Sequence, residues 1–194
     1  MRLRHCCNGP VSRWLSPVFS SSLVPDLLYN TARMQQVYRH AASILVLRPV
    51  EVCAPGGECQ KIYQILLLHK PRKKDSWQLP QGGMEQGEDV TQAALRELKE
   101  EASLDGCRVI GKSERVYQYD FPDSFRRFRP DNVCGQKIEY VFALAPDNPQ
   151  VVVDGKEVDA HAWIGIDQLT QYVRREEYLE IVRGLFEEAI RVLE

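Results

Sequence analysis

Glu97, Glu100 and Glu101 lie three and four residues apart in the stretch from Asp89 to Ala102, which is rich in helix formers and contains no Gly or Pro. On a helix of about 3.6 residues per turn, that spacing points the three carboxylates from a common face. Like charges so close are unfavourable unless a cation neutralises them. An all-oxygen set of hard ligands suits Mg2+ or Mn2+ better than zinc, so the expected cofactor is one of these two and the expected metal ligands are Glu97, Glu100 and Glu101. Glutamates grouped on a helix usually form a solvated face, and it is the surrounding residues that set this group apart.

Val90, Ala94, Leu98 and Ala102 recur every four residues and give the helix an apolar stripe for the core. Ahead of it, Ser76 to Gln81 reads as a strand leading into a tight turn at Gly82-Gly83, where the missing side chains would let a phosphate approach the main chain. Arg96 is spaced to reach back to Glu88 in the loop. This charge-assisted pair would act as scaffold and leave the other glutamates free for metal.

Beyond this region the periodicity predicts strands at 41–48, 61–69, 107–119, 136–145 and 160–165, with a Pro- and Gly-rich loop at 49–59. One amphipathic helix is expected from Asp167 to Leu193. Strands around two helices make an α/β sandwich. At 194 residues, 44% hydrophobic and 27% charged, the chain suits one catalytic domain, taken as residues 34–194. Residues 1–33 carry four arginines, five serines and one acid. They read either as a mitochondrial transit peptide or as sequence upstream of a true start at Met34. The compartment is accordingly mitochondrial or cytoplasmic.

The net charge of −2 marks no global nucleic-acid binder, so an anionic partner must be held by local basic patches. No apolar run approaches the roughly 20 residues of a membrane span, and neither a membrane nor a DNA partner is expected. The six cysteines show no CxxC and no histidine at ligand spacing. Cys53 and Cys59 flank Pro55-Gly56-Gly57 and are expected close across a hairpin but reduced. His40 and His161 read as structural.

Two basic groups flank the metal-ligand helix. Lys70, Arg72, Lys73 and Lys74 precede it, and Asp123 to Pro130 interleaves Arg126, Arg127 and Arg129 with Phe125 and Phe128. The second stretch suits phosphates held by guanidinium groups and bases stacked on rings. It equally suits a loop anchored by its phenylalanines.

Gly82, Glu88, Arg96, Glu97, Glu100, Glu101 and Leu104 together stand at the spacings of the Nudix box, and Ser103 replaces the glycine which that box places before its last apolar residue. Serine there should cost about 1 kcal/mol if φ is positive, unless Asp105-Gly106 supplies the turn. The chain resembles the bacterial RNA 5′-pyrophosphohydrolases and the related asymmetric dinucleoside tetraphosphate hydrolases. Tyr38-Arg39, Ser76 to Gly83, Tyr119-Asp120-Phe121-Pro122 and Gly135-Gln136-Lys137 carry this resemblance, in that order along the chain.

The resemblance implies a Nudix fold, a mixed β-sheet sandwiched between α-helices. It also implies metal-dependent hydrolysis of a phosphoanhydride. By the same likeness Glu157, six residues before Trp163, is a further metal ligand or base, with Asp159 its nearest competitor. The catalytic set is then Glu97, Glu100, Glu101 and Glu157, with the general base left open among them. Arg39, Lys70, Gln81, Gly82, Gly83, Arg126, Arg127, Gln136 and Lys137 are the expected substrate contacts.

The expected substrate is the 5′-triphosphate or diphosphate end of RNA. Alternatives are a dinucleoside polyphosphate such as diadenosine tetraphosphate, another nucleoside diphosphate derivative, and a non-cleaving nucleotide- or RNA-binding module. No protein partner can be named.

Overall fold

A run of seven consecutive buried residues, Ala41 to Leu47, runs through the middle of the first strand. Such a run is expected of a strand covered on both faces. The computed structural model describes residues 37–71, 76–126 and 132–194. The expectations placed on residues 1–36, on Arg72, Lys73 and Lys74, and on Arg127, Phe128 and Arg129 lie outside the described residues. All described residues belong to the unit Gln35–Glu194.

The strands are β1 (Val37–Cys53), β2 (Cys59–His69), β3 (Trp77–Gln78), β4 (Gln81–Gly83), β5 (Arg108–Asp120), β6 (Val133–Leu144) and β7 (Ala160–Gly165). The helices are α1 (Val90–Ala102), α2 (Asp123–Arg126), α3 (Leu169–Tyr172) and α4 (Glu176–Leu193). The sheet runs β3-β2-β1-β6-β5, with β4 added to β1 and β7 to β2. The β1–β6 pair is parallel and the other pairs are antiparallel, so the sheet is mixed.

Alternation along β1 and β6 sorts the core into two layers. Ala41, Leu45, Leu47, Ile138, Tyr140 and Phe142 face α4 through Leu179, Val182 and Leu185. Ala42, Ile44, Val46, Val141 and Ala143 face α1 through Ala94, Leu98 and Ala102. The α/β/α sandwich expected from the sequence is therefore the observed fold.

Several details differ from expectation. Gly82 and Gly83 form a short strand and not a tight turn, pairing with Ala42 and Ala41 of β1. Asp123 to Arg126, expected as loop, forms one helical turn. The single terminal helix is broken: a 3-10 turn at Ile166–Gln168 leads into α3, Val173 is extended at φ −104°, and α4 starts at Glu176. The cause is phase. A continuous helix would carry the buried face from Val173 to Glu176 and Glu177, and the break instead turns Tyr178 and Leu179 into the core.

Cys53 and Cys59, expected reduced, form a disulfide. They face each other as the last pair of the β1–β2 hairpin register, so the ladder itself sets them side by side. Cys107 and Cys134 remain free thiols. Burial pushes the Cys107 thiol up to about 11.

Candidate active site

α1 is fixed at both ends. Its N-cap Asp89 accepts hydrogen bonds from the Thr91 and Gln92 amides at 2.7 and 2.9 Å, and Gln92 returns one from the Asp89 amide at 3.0 Å, a reciprocal capping box. At the other end Ser103 adopts φ 50°, ψ 27°, the left-handed conformation that the box's glycine would take without strain. The turn falls on Ser103 itself. Asp105-Gly106 does not replace it, although Gly106 also has positive φ.

Arg96 organises the inner side of the helix. Its guanidinium donates to Glu88 Oε1 and Oε2 at 2.7 and 2.9 Å and to the Gly83 carbonyl at 2.8 Å. The expected scaffold pair is thus present and also ties down β4. Paired with Arg96, the Glu88 carboxyl is held down at about 2. The remaining nitrogen of Arg96 donates to Glu97 at 2.9 Å and to Glu100 at 3.1 Å.

The two glycines of β4 leave space for charged side-chain tips. A Cβ on Gly82 would lie 1.9 to 2.1 Å from the Glu97 carboxylate, and one on Gly83 would lie 1.9 Å from the Arg39 guanidinium. The room above this backbone, expected for a phosphate, holds Glu97 and Arg39.

Glu101 is the most enclosed of the three carboxylates, with 6% of its side chain exposed against 57% for Glu100. It forms an ion pair with Lys70 at the end of β2 and accepts the Gln81 amide at 3.2 Å. Burial pushes its pKa up, and Lys70 opposes that shift. Across the cleft, Glu157 comes from the loop before β7. Asp154 shapes this loop by accepting the amides of Lys156, Glu157 and Val158 at 2.9, 3.0 and 3.1 Å. Those amides hold the Asp154 carboxyl below its ordinary value.

Asp159, the competitor to Glu157, pairs instead with His69 Nδ1, and its amide reaches the His69 carbonyl at 3.1 Å. The His69 ring in turn packs on Trp77 at 5.0 Å. This contact staples the loop carrying Glu157 to the strand end carrying Lys70.

These groups line one open cleft of about 530 Å3 that contains Glu97, Glu100, Glu101, Glu157, Arg39, Lys70, Gln81, Gly82, Gly83, Arg96 and Gln136. Met84 and Glu85 line it as well. The sequence reading missed Met84, Glu85, His69 and Asp154. The Asp-Gly pair at 154 and 155 was a legible turn signal, whereas the His69–Asp159 contact spans 90 residues and left no local one.

Two of the expected substrate residues are not brought to the cleft. Lys137, the residue after Gln136 on β6, is not among those that line the cleft. Arg126 is tied to its own loop, donating to the Phe121 carbonyl at 2.9 Å and pairing with Asp120 at 3.3 Å. Arg127 lies outside the described residues. His40 sits 4.0 Å from Glu139.

Beside Gln136, which accepts from Tyr119 at 3.2 Å, an aromatic row runs Tyr117, Tyr119, Phe121 and Phe125 with ring centroids 5.1 to 5.7 Å apart. Phe121 is buried and Phe125 is 48% exposed, so one phenylalanine anchors the loop and the other faces solvent.

Among the described residues no three of His, Cys, Asp or Glu are gathered closely enough to hold an ion as they stand. Lys70 and Arg96 occupy the carboxylates. Even so, the cleft lining has five carboxylates against three basic side chains, and its acidic donors are all oxygen. That donor set fits a hard divalent cation.

A family model described as NUDIX domain matches residues 47–185. Among curated relatives, an RNA pyrophosphohydrolase of Ruthia magnifica subsp. Calyptogena magnifica is 30% identical over 135 residues, covering 67% of this chain and 74% of that protein. One of Francisella tularensis subsp. mediasiatica is 37% identical over 100 residues, covering 48% and 64%. Among solved structures, an Ap4A hydrolase of C. elegans in a binary complex shares the fold with a TM-score of 0.55 at 19% identity, over 77% of this chain and 96% of that one.

Proposed function

The chain belongs to the NUDIX domain family, and on that premise we propose that it is a pyrophosphohydrolase of the 5′-triphosphate or diphosphate end of RNA, working with Mg2+ or Mn2+. The observation that carries this reading is the convergence of Glu97, Glu100, Glu101 and Glu157 with Arg39 and Lys70 on one cleft. The name shared by the curated relatives supports the choice of RNA.

Glu97, Glu100, Glu101 and Glu157 would hold the metal. When bound, it supplies charge neutralisation at the phosphate oxygens and lowers the pKa of an attacking water. Arg39 and Lys70, the basic side chains of the cleft besides the scaffold Arg96, grip the phosphate chain. Arg96 keeps Glu97 and Glu100 oriented, and Glu88 holds Arg96. The water oxygen bonds to phosphorus as the anhydride P–O bond breaks in line, and the displaced phosphate or pyrophosphate leaves with the electron pair. The proton passes to a cleft carboxylate. Glu100 and Glu157 are the assigned acceptors, because Glu97 and Glu101 are the more enclosed. Gln136 and the aromatic row beside it give the first base a surface to stack on.

The fold shared with an Ap4A hydrolase keeps diadenosine tetraphosphate as the second substrate reading. The carboxylate-rich cleft argues against a binding module that does not cleave. The deciding experiment compares initial rates of purified protein with Mg2+ on 5′-triphosphorylated RNA and on diadenosine tetraphosphate. The reading expects faster RNA cleavage, and faster dinucleotide cleavage would replace it.

A further inference from the structure

Lys70 pairs its ammonium, at the end of a four-carbon stem with rotatable bonds, with a carboxylate assigned to metal. Both oxygens of Glu101 are occupied, Oε1 by the Lys70 ammonium and Oε2 by the Gln81 amide at 3.2 Å. The pair is enclosed, with 16% of the Lys70 side chain and 6% of that of Glu101 exposed.

Two positive charges cannot share a buried carboxylate oxygen without strong repulsion. A divalent ion taking Glu101 as ligand must therefore meet Lys70 where it now sits. Arg96 is in a different position. Its planar fork stays anchored on Glu88 and the Gly83 carbonyl even if Glu97 and Glu100 let go. A lysine is a point charge on four rotatable carbons, and among the described residues nothing comparable holds this one.

We propose that Lys70 is a resident counter-cation of Glu101, displaced when the divalent ion enters and turned by that displacement toward the phosphates of the substrate. The proposal rests on the reading of the cleft as a metal site. It makes phosphate grip conditional on metal loading: without metal, one of the cleft's two proposed phosphate-binding cations, Arg39 and Lys70, is held by Glu101. Linkage requires the converse too, so a bound polyphosphate that draws Lys70 away from Glu101 strengthens metal binding by the same factor.

The test leaves Lys70 in place. The full chain is treated briefly with acetic anhydride with and without saturating Mn2+, and acetylation of Lys70 is followed by peptide mass spectrometry. Mn2+ binding is measured in parallel from the free-ion spin-resonance signal. The expected result is Mn2+ binding that is lost in Glu101→Gln, with Lys70 acetylation rising about fivefold or more on metal addition, the low end of ordinary coupling between sites. In Glu101→Gln, acetylation should be high with or without metal.

Mn2+ binding with unchanged Lys70 acetylation would overturn the proposal and leave the metal site standing. No Mn2+ binding by the wild-type chain would overturn the metal-site reading and the proposal with it. As a second readout, Lys70→Met should bind Mn2+ more tightly than wild type. Unchanged or weaker binding in that variant counts against displacement.

Discussion

Gly82→Ala tests the packing of the site with one methyl group. The added Cβ would lie 1.9 Å from Glu97 Cδ and within 2.1 Å of both carboxylate oxygens. Carbon and oxygen atoms do not approach closer than about 3 Å, so the carboxylate must retreat by roughly 1 Å. Glu97 is held by Arg96 at 2.9 Å, and giving up that charge-assisted bond costs about 1.5–3 kcal/mol. The clash falls on the tip of a flexible side chain, so the protein should still fold, less stable by about 1–3 kcal/mol. A misplacement of 1 Å at a reacting centre costs on the order of 100-fold in rate, and kcat should fall about that far. Urea unfolding and initial rates on triphosphorylated RNA measure the two effects. In the cycle with Glu97→Ala, the stability loss of Gly82→Ala should largely vanish, because the group it displaces is gone. Full activity in Gly82→Ala, or a stability loss that persists in the double variant, would refute the placement of Glu97 against β4.

Four further outcomes follow from the same geometry. Arg96 depresses the Glu88 carboxyl from 4.5 to about 2, so this pair adds stability at neutral pH that is lost as the pH falls through that window; in urea unfolding, the deficit of Glu88→Gln should shrink between pH 4.5 and 2. Asp159→Asn and His69→Ala loosen the loop carrying Glu157 and should each lower kcat about 10-fold or more while the thermal midpoint moves little, which steady-state kinetics and a melting curve check. Ser103→Gly relieves about 1–2 kcal/mol of left-handed strain and returns about 0.4–1 kcal/mol through unfolded-chain entropy, for a net gain near 1 kcal/mol in chemical denaturation at unchanged kcat. Lys137→Ala, outside the cleft lining, should leave KM for triphosphorylated RNA within about twofold of wild type, whereas Arg39→Ala should raise it about tenfold or more.

What the sequence revealed was local. The carboxylates of α1 are legible because residues three and four apart share a helix face, and Glu88 with Arg96 because only eight residues separate them. The two-layer core follows from the alternation of β1. What stayed hidden depends on partners far along the chain. Glu101 pairs with Lys70 31 residues away, and Asp159 with His69 90 residues away. Strand register decides that Gln136 and not Lys137 lines the cleft, and register is set by pairing with β1 and β5. The break before α4 was readable in hindsight, since Glu176 and Glu177 fall where a continuous helix would bury them. The cysteine pair shows the opposite failure: its proximity was foreseen, but composition gave no ground for its oxidation.

The most direct measurement is a single-turnover assay of 5′-triphosphorylated RNA with wild type and Glu100→Gln, each with Mg2+ and with excess EDTA, at matched folded content by circular dichroism. The account predicts release of phosphate or pyrophosphate by wild type with Mg2+ only, and a loss of at least 100-fold in Glu100→Gln with the fold intact. Cleavage that survives in folded Glu100→Gln, or in EDTA, would contradict the assignment of α1 as the metal-bearing element.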